Sequence, residues 1–543
     1  MDFQRIFLFL IFSFSAILLW DGWQRYQHPV PLAQTVASAA TPASTGLETP
    51  KSAAQLAAHS ESVAGQASAQ GKKIIVRTDS LLVEINTIGG DIQRVEMLQH
   101  RDAEDKTKPF VLLQKHEKHM YVAQTGLIGE GLPSHHAQFT ASADEYNLAQ
   151  GADTLSVRLV ANNNVAKVLT FHRGNYLIDV SYEIENTGTS PISPSAYFQL
   201  VRDDSVPAGD SKLVPTYTGP AIYTDLEKFQ KVDFSSIEKS KTSYPKTADN
   251  GWVAMLQHYF VAAWLPADKT PREYYTKALG NQQYSVGTIL AVNTIAPGQK
   301  GSVKVPLYVG PASAKLNDIA PGLGLTVDYG WLTIIATPLF WMLTFIQGWV
   351  QNWGVAIIIL TVLIKLVFFP LSAASYRSMG KMRVVAPKLE KIKQQYSDDR
   401  EKLNRAMMDL YKTEKINPLG GCLPVLIQIP VFISLYWAIL SSVELRHAPF
   451  VGWISDLSAA DPYFVLPAIM GLSMLLQSKL NPVPPDPLQA KLMQLMPIVF
   501  SVVFFFFPAG LVLYSVVNNV LSIAQQWYIT RGLENEQKGV AKA

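Results

Sequence analysis

WGVAIIILTVLIKLVFFPL, residues 353–371, decides the architecture. It is apolar almost throughout and matches the roughly 20 residues that a helix needs to cross the hydrocarbon core of a bilayer. Its single charge is Lys365, a residue type that costs roughly 2.5–3.5 kcal/mol at mid-membrane on insertion scales. Two readings of such a lysine compete. The side chain can snorkel, since Leu371 and the helix end lie roughly 9 Å away along the axis. Alternatively it faces a wet cavity, and nearby polar groups favour this. Thr361 lies one turn earlier on the same helix face. Later apolar segments contribute Gln428, Ser434, Tyr514, Ser515, Asn518, Asn519 and Gln525. No second intramembrane charge accompanies Lys365. The set describes a hydrated, positively charged pocket that attracts an acidic or polar segment, not a proton relay, which requires titrating carboxylates.

Four more apolar segments follow at 422–440, 463–480, 492–507 and 510–529, giving five spans. The fourth is short and ends at Pro508-Ala509-Gly510, which thins the bilayer locally. The loop 372–418 holds eleven Lys or Arg, whereas 441–462 holds only Arg446. Excess positive charge belongs in the cytoplasm. The run 331–350 is also uncharged, but as a span it puts the basic loop outside and leaves only Gln351 and Asn352 to join two spans. It is therefore read as an interfacial amphipathic helix (319–351) on the outer leaflet, with Trp331, Trp341 and Trp349 at the interface and a bend at Pro338. The basic loop reads as a helical hairpin. Met379, Met382, Ala386, Leu389, Ile392 and Tyr396 recur at helical spacing, Pro387 kinks the first helix, and Asp398 with Glu401 forms a capping box for the second. It is either a solvated coiled coil without a partner or a docking arm for a ribosome or a nascent chain.

The part before residue 320 differs. Leu177-Ile178-Asp179-Val180-Ser181-Tyr182-Glu183-Ile184 alternates as a half-buried strand does. Gly89-Gly90, Asn186-Thr187-Gly188 and Pro297-Gly298 mark turns. Residues 72–318 read as a large all-β sandwich. Its His116, His119, His135 and His136 lack supporting carboxylate or cysteine spacing and read as solvated loop residues. Residues 28–71, rich in Ala, Ser, Thr, Pro, Gln and Gly, read as a flexible linker. The apolar run at 6–20 ends beside Trp20 and Trp23, which suit a membrane interface. Residues 1–27 are read as a retained signal-anchor helix, with Arg5 setting a cytoplasmic N-terminus, and 536–543 as a cytoplasmic tail. The formal charge of +3 over 543 residues gives no reason to expect a nucleic-acid partner, and the single cysteine, Cys422, allows no disulfide within the chain. No Walker-type loop, Gly-x-Ser-x-Gly or His-Glu-x-x-His occurs, and the spans carry no histidine. The expectation is a protein that is not an enzyme and needs no cofactor.

The run Asn417-Pro418-Leu419-Gly420-Gly421-Cys422-Leu423-Pro424, followed by Gln428 and Pro430, resembles the hallmark of the YidC/Oxa/Alb insertase family. So do Val443-Glu444-Leu445-Arg446 and Phe507-Pro508-Ala509-Gly510-Leu511-Val512-Leu513-Tyr514. The likeness covers residues 322–533, and the anchor, linker and β-domain are similar to the Gram-negative version. The resemblance implies a bacterial inner-membrane insertase and chaperone. Its partners are nascent membrane proteins, the lipid bilayer, the Sec translocon and, through the basic hairpin, the ribosome. It implies a multidomain fold, in which a five-helix insertase core (352–535) and an anchor helix accompany a periplasmic all-β supersandwich similar to sugar-mutarotase folds. It also implies a hydrophilic groove open to the cytoplasm and to lipid and closed to the periplasm. On this basis the groove comprises Lys365, Thr361, Gln428, Ser434, Tyr514, Ser515 and Asn518. The family's groove cation is usually arginine. Lys365 keeps the charge but loses the planar five-donor fork. An aromatic often follows the Tyr514 position, whereas Ser515 stands here and leaves the groove wider or wetter. Three rivals make different demands. A secondary transporter needs inverted repeats, which the five spans lack. A membrane hydrolase needs a nucleophile with a base. A scaffold tolerates loss of Lys365.

Overall fold

A computed structural model describes residues 71–540 apart from 103–104, 117–118, 162–163, 208–215, 397–398, 415–422 and 481–486. The expected signal-anchor, nearly all of the linker, residues 417–422 of the hallmark run and the end of the tail lie outside the described residues. The chain divides into two compact units that meet between Val327 and Asp328.

The first unit is a ten-stranded and a nine-stranded sheet. In the strand Leu177–Glu185 the residues Ile178, Val180, Tyr182 and Ile184 are buried, and the intervening ones are not. It pairs antiparallel with Lys300–Pro311 on one side and Val165–His172 on the other. The strand Ser195–Asp203 lies inside the ten-stranded sheet between His119–Ile128 and Gln283–Ala291. Both of its faces are covered, so it loses the alternation that marks a half-exposed strand. The inner faces of the sheets meet where the Phe198 and Trp264 rings lie 5.2 Å apart and Thr125 Oγ1 is 2.7 Å from the Tyr182 hydroxyl. The sheet edges are short strands, Glu145–Asn147 and Thr247–Ala248 on one sheet, Phe139–Ala141 and Lys228–Lys231 on the other, which leaves little edge for pairing with other chains.

Of the four histidines, His119 and His135 depart from the expectation of solvated loop residues, whereas His116 and His136 are exposed. His116 and His119 terminate paired strands. His119 Nδ1 sits 2.8 Å from Ser205 Oγ and 3.1 Å from Asp203 Oδ1. His135 is half-buried, with Nδ1 against the Tyr197 hydroxyl. Among the described residues no group of three His, Cys, Asp or Glu has the geometry to hold a metal ion.

The second unit is helical: α1 (Thr333–Val350), α2 (Trp353–Val367), α3 (Phe369–Gln395), α4 (Arg400–Thr413), α5 (Leu423–Ser441), α6 (Val465–Leu480), α7 (Pro487–Val503) and α8 (Ala509–Val540). Several boundaries differ from the expected ones. Residues 314–332 form 3-10 turns instead of the start of a helix at 319. The helix at the first expected span stops at Val367, four residues early, where the chain bends by 67° into α3. Pro370 opens α3, where its missing N–H costs nothing. Helix α4 is capped by Asp399, which accepts from the amides of Glu401 and Lys402, while the expected cap, Asp398, lies outside the described residues. The last helix runs on past residue 529.

Among the described residues α1 alone is long and apolar enough by itself to cross a membrane. It is less amphipathic than expected. Ala336, Leu343 and Ile346 are buried, while Ile334, Trp341, Phe345 and Trp349 are exposed. A left-handed Gln351 (φ 53°) and the Asn352 cap, whose side chain accepts from Val355 N, turn α1 into α2 in two residues. Leu343, Leu360, Leu435, Ile439, Leu457 and Leu511 centre the bundle core.

Candidate functional site

Lys365 lies in the last turn of α2, just before the bend. The bend sets Phe368, Leu371 and Ser372 beside it, and α5 supplies Ile427, Gln428 and Val431. Together they line a small recess that opens to the surface. Lys365 Nζ donates to Ser522 Oγ of α8 at 2.7 Å. The Ser522 hydroxyl in turn donates to the Asn518 carbonyl, also at 2.7 Å. Among the described residues no carboxylate forms an ion pair with Lys365. The recess therefore holds a cation whose hydrogen-bonding partner is neutral. It attracts anions, and its remaining N–H groups are free to meet one.

The structure brings together only part of the expected groove. Lys365 and Gln428 line the recess, and Tyr514 is one step away, accepting a hydrogen bond from Gln428 Nε2. Thr361 and Ser515 are buried and spend their hydroxyls on their own helices, on Ile357 O at 2.6 Å and Leu511 O at 2.9 Å. Ser434 is fully buried, with an Oγ that has no partner. Asn518 contributes its carbonyl, while its buried side-chain oxygen is unpaired. Buried unpaired polar atoms in an apolar bundle are costly unless water reaches them. Sequence reasoning missed Ser522. Its signal was the spacing of Tyr514, Asn518 and Ser522, one polar residue per turn on a single face of α8.

The bundle is packed with aromatic rings toward the loop between α5 and α6. Phe432, Tyr436, Phe504, Phe507 and Tyr514 form an aromatic cluster with neighbouring centroids 5.1–6.4 Å apart. Over it the loop is pinned by backbone bonds from Ala509 N to Ala459 O at 2.7 Å and from Gly510 N to Leu457 O at 2.9 Å. Asn352 Nδ2 holds the Phe450 carbonyl at 3.0 Å. Charge and polarity thus gather at the α2–α3 bend, and apolar packing closes the other end.

Two family models match the chain. Residues 73–342 match the YidC periplasmic domain, and residues 345–537 match the 60Kd inner membrane protein family. A membrane protein insertase YidC of Nitrosospira multiformis is 55% identical over 100% of this chain and 99% of its own length. One from Methylobacillus flagellatus is 54% identical, with both chains covered completely. Among solved structures, an active YidC insertase with its first transmembrane domain resolved aligns with a TM-score of 0.40 at 19% identity, over 85% of this chain and 93% of that one.

Proposed function

The chain belongs to the YidC family of membrane protein insertases, and from that premise we propose that client insertion runs through the Lys365 recess. The protein is an inner-membrane insertase with a periplasmic β-domain, and it is not an enzyme. The observation that carries the proposal is the ammonium of Lys365, bonded only to neutral Ser522 in an open recess shared with Gln428.

In this reading a nascent membrane protein approaches from the cytoplasm, helped by the basic α3–α4 hairpin, which also docks the ribosome. Its short polar flank enters the recess, where Lys365 attracts acidic groups and Gln428 offers hydrogen bonds. The helices shorten the remaining barrier: α2 has 15 residues and α6 has 16. At 1.5 Å per residue these span roughly 22–24 Å, against about 30 Å of hydrocarbon, so the bilayer thins around them. The apolar segment leaves past the exposed side chains of α5 and α7, among them Leu426, Ile429, Ile498 and Phe500. Burial of its apolar surface in lipid drives the step, without ATP. The protein acts alone or beside the Sec translocon.

The test is insertion into proteoliposomes that contain only this protein. The client is a small single-span protein with an acidic tail, scored by protease protection without nucleotide. Protection that depends on the protein and falls with Lys365→Glu supports the recess. Protection indifferent to that change removes Lys365 from the mechanism. No protection beyond empty liposomes overturns autonomous insertion.

A further inference from the structure

We propose that Ser522 is a positioning residue whose hydroxyl holds the Lys365 ammonium inside the recess and thereby sets a preference for clients with acidic flanks. The inference rests on the recess reading above, but its geometry stands apart from it. Lys365 is two residues from the end of α2. A lysine so placed reaches interfacial water by extending along the helix, the usual resting position for such a residue. Here the side chain turns across to α8 instead, and Nζ meets Ser522 Oγ at 2.7 Å. That hydroxyl has two other neighbours, the Asn518 carbonyl and the Tyr376 hydroxyl, and the carbonyl can only accept. Its proton goes to the Asn518 carbonyl at 2.7 Å, so its lone pairs face the ammonium. Ser522 is 4% exposed, so it acts on a client through Lys365 rather than by touching it.

The chemistry of the acceptor matters. A carboxylate here would hold the lysine but cancel its charge, leaving nothing to attract an acidic flank. An apolar residue would preserve the charge but release the side chain. A hydroxyl with its proton already committed does neither. It fixes the position of the cation and leaves the charge for the client.

The experiment compares the full chain with Ser522→Ala, Ser522→Thr and Ser522→Asp in proteoliposomes. Two readouts are taken: the insertion ratio of an acidic-flanked to a neutral-flanked version of one client, and acylation of Lys365 by a water-soluble reagent, followed by peptide mass spectrometry. Ser522→Ala is expected to lower the ratio by roughly tenfold, the scale of losing one hydrogen bond to a charged group. It is also expected to speed Lys365 acylation severalfold, because both an amine that swings out to water and one that sheds its proton react faster. Ser522→Thr keeps the hydroxyl and restores both values, and Ser522→Asp lowers the ratio. A merely structural defect lowers insertion of both clients alike and is not rescued by threonine, and that outcome overturns the proposal. If the unaltered protein inserts neither client, autonomous insertion fails, and acylation still decides the positioning role. Equal acylation in Ser522→Ala and the unaltered chain overturns it.

Discussion

At the scale of single residues, neighbours decide what a polar side chain is for. His135 is pushed down to about 3 by burial, with the nearby His136 and Lys167 charges adding to the effect. A histidine depressed below its ordinary value of 6.5 folds best when neutral. Its contribution is present above pH 6.5 and drains away as pH falls toward 3, by at most about 1.4 kcal/mol per pH unit. Asp91 runs the other way. Burial raises it to about 7, opposed by the Lys167 charge and the Gln124 hydrogen bond. Its contribution is full below its ordinary 3.8 and is lost as pH rises through 7. The two slopes oppose between pH 4 and 6.5. The expected outcome for His135→Gln is a β-domain whose protection falls less, or rises more, than that of the unaltered chain as pH drops from 7 to 4, measured by hydrogen exchange in the strands around Tyr197. An unchanged slope removes His135 from the balance. The same dependence on neighbours explains what the sequence could show of the site. Lys365 was legible because a charge inside an apolar run stands out on composition alone. Ser522 was less so, because one more serine in a helix with several polar residues gains meaning only when another helix brings a lysine to it. The hydroxyls of Thr361 and Ser515 turn to their own helices for a related reason: a hydroxyl can always bond the carbonyl four residues back, and spacing does not reveal that choice.

At the scale of elements, interior periodicity was readable and ends were not. The alternation in Leu177–Glu185 and the apolar runs of the spans follow from burying one face or all faces, which composition records. The bend at Phe368 left no comparable trace, because residues 353–371 stay apolar across it and only Pro370 hints at a new start. The cap of α4 was displaced by one residue because Asp398 and Asp399 are equally good caps and backbone geometry chooses between them. Asp399→Ala is expected to loosen the start of α4, seen as faster amide exchange in the first turn of α4 and nowhere in the bundle. A sharper test concerns the closed end of the core. A methyl group on Gly354 of α2 would lie 2.0 Å from the Phe450 ring, far inside contact distance, so that ring sits where a side chain would be. Gly354→Ala is expected to destabilise the bundle by about 1–3 kcal/mol through overpacking, read as a lower melting temperature in detergent. In a Phe450→Ala background the same Gly354→Ala step should cost little, because the ring it strikes is gone. An unchanged cost for that step would show that the strain lies elsewhere.

At the scale of the whole molecule, the open matter is how the chain threads the membrane, and α1 is its crux. The shortness of the α1–α2 connection was one reason to keep α1 out of the bilayer, and the structure removes it, since Gln351 and Asn352 suffice to join two helices. Its hydropathy and length also permit a crossing. What remains is charge parity. With the β-domain periplasmic, one crossing at α2 delivers the eleven Lys and Arg of 372–418 to the cytoplasm, whereas two crossings, at α1 and α2, return them to the periplasm. The exposed face of Trp341, Phe345 and Trp349 fits a helix lying at the interface, where tryptophan is favoured. The single cysteine makes this measurable. In a Cys422→Ser background, cysteines are placed singly at Leu226 in the β-domain, Val451 in the α5–α6 loop and Lys412 in the hairpin, all exposed. An impermeant maleimide added to intact spheroplasts is expected to label Leu226→Cys and Val451→Cys, and to reach Lys412→Cys only after the membrane is opened. Should Leu226→Cys and Lys412→Cys label together while Val451→Cys is protected, α1 crosses. The basic hairpin would then face away from the ribosome, and the recess beside Lys365 would open to the side from which no client arrives.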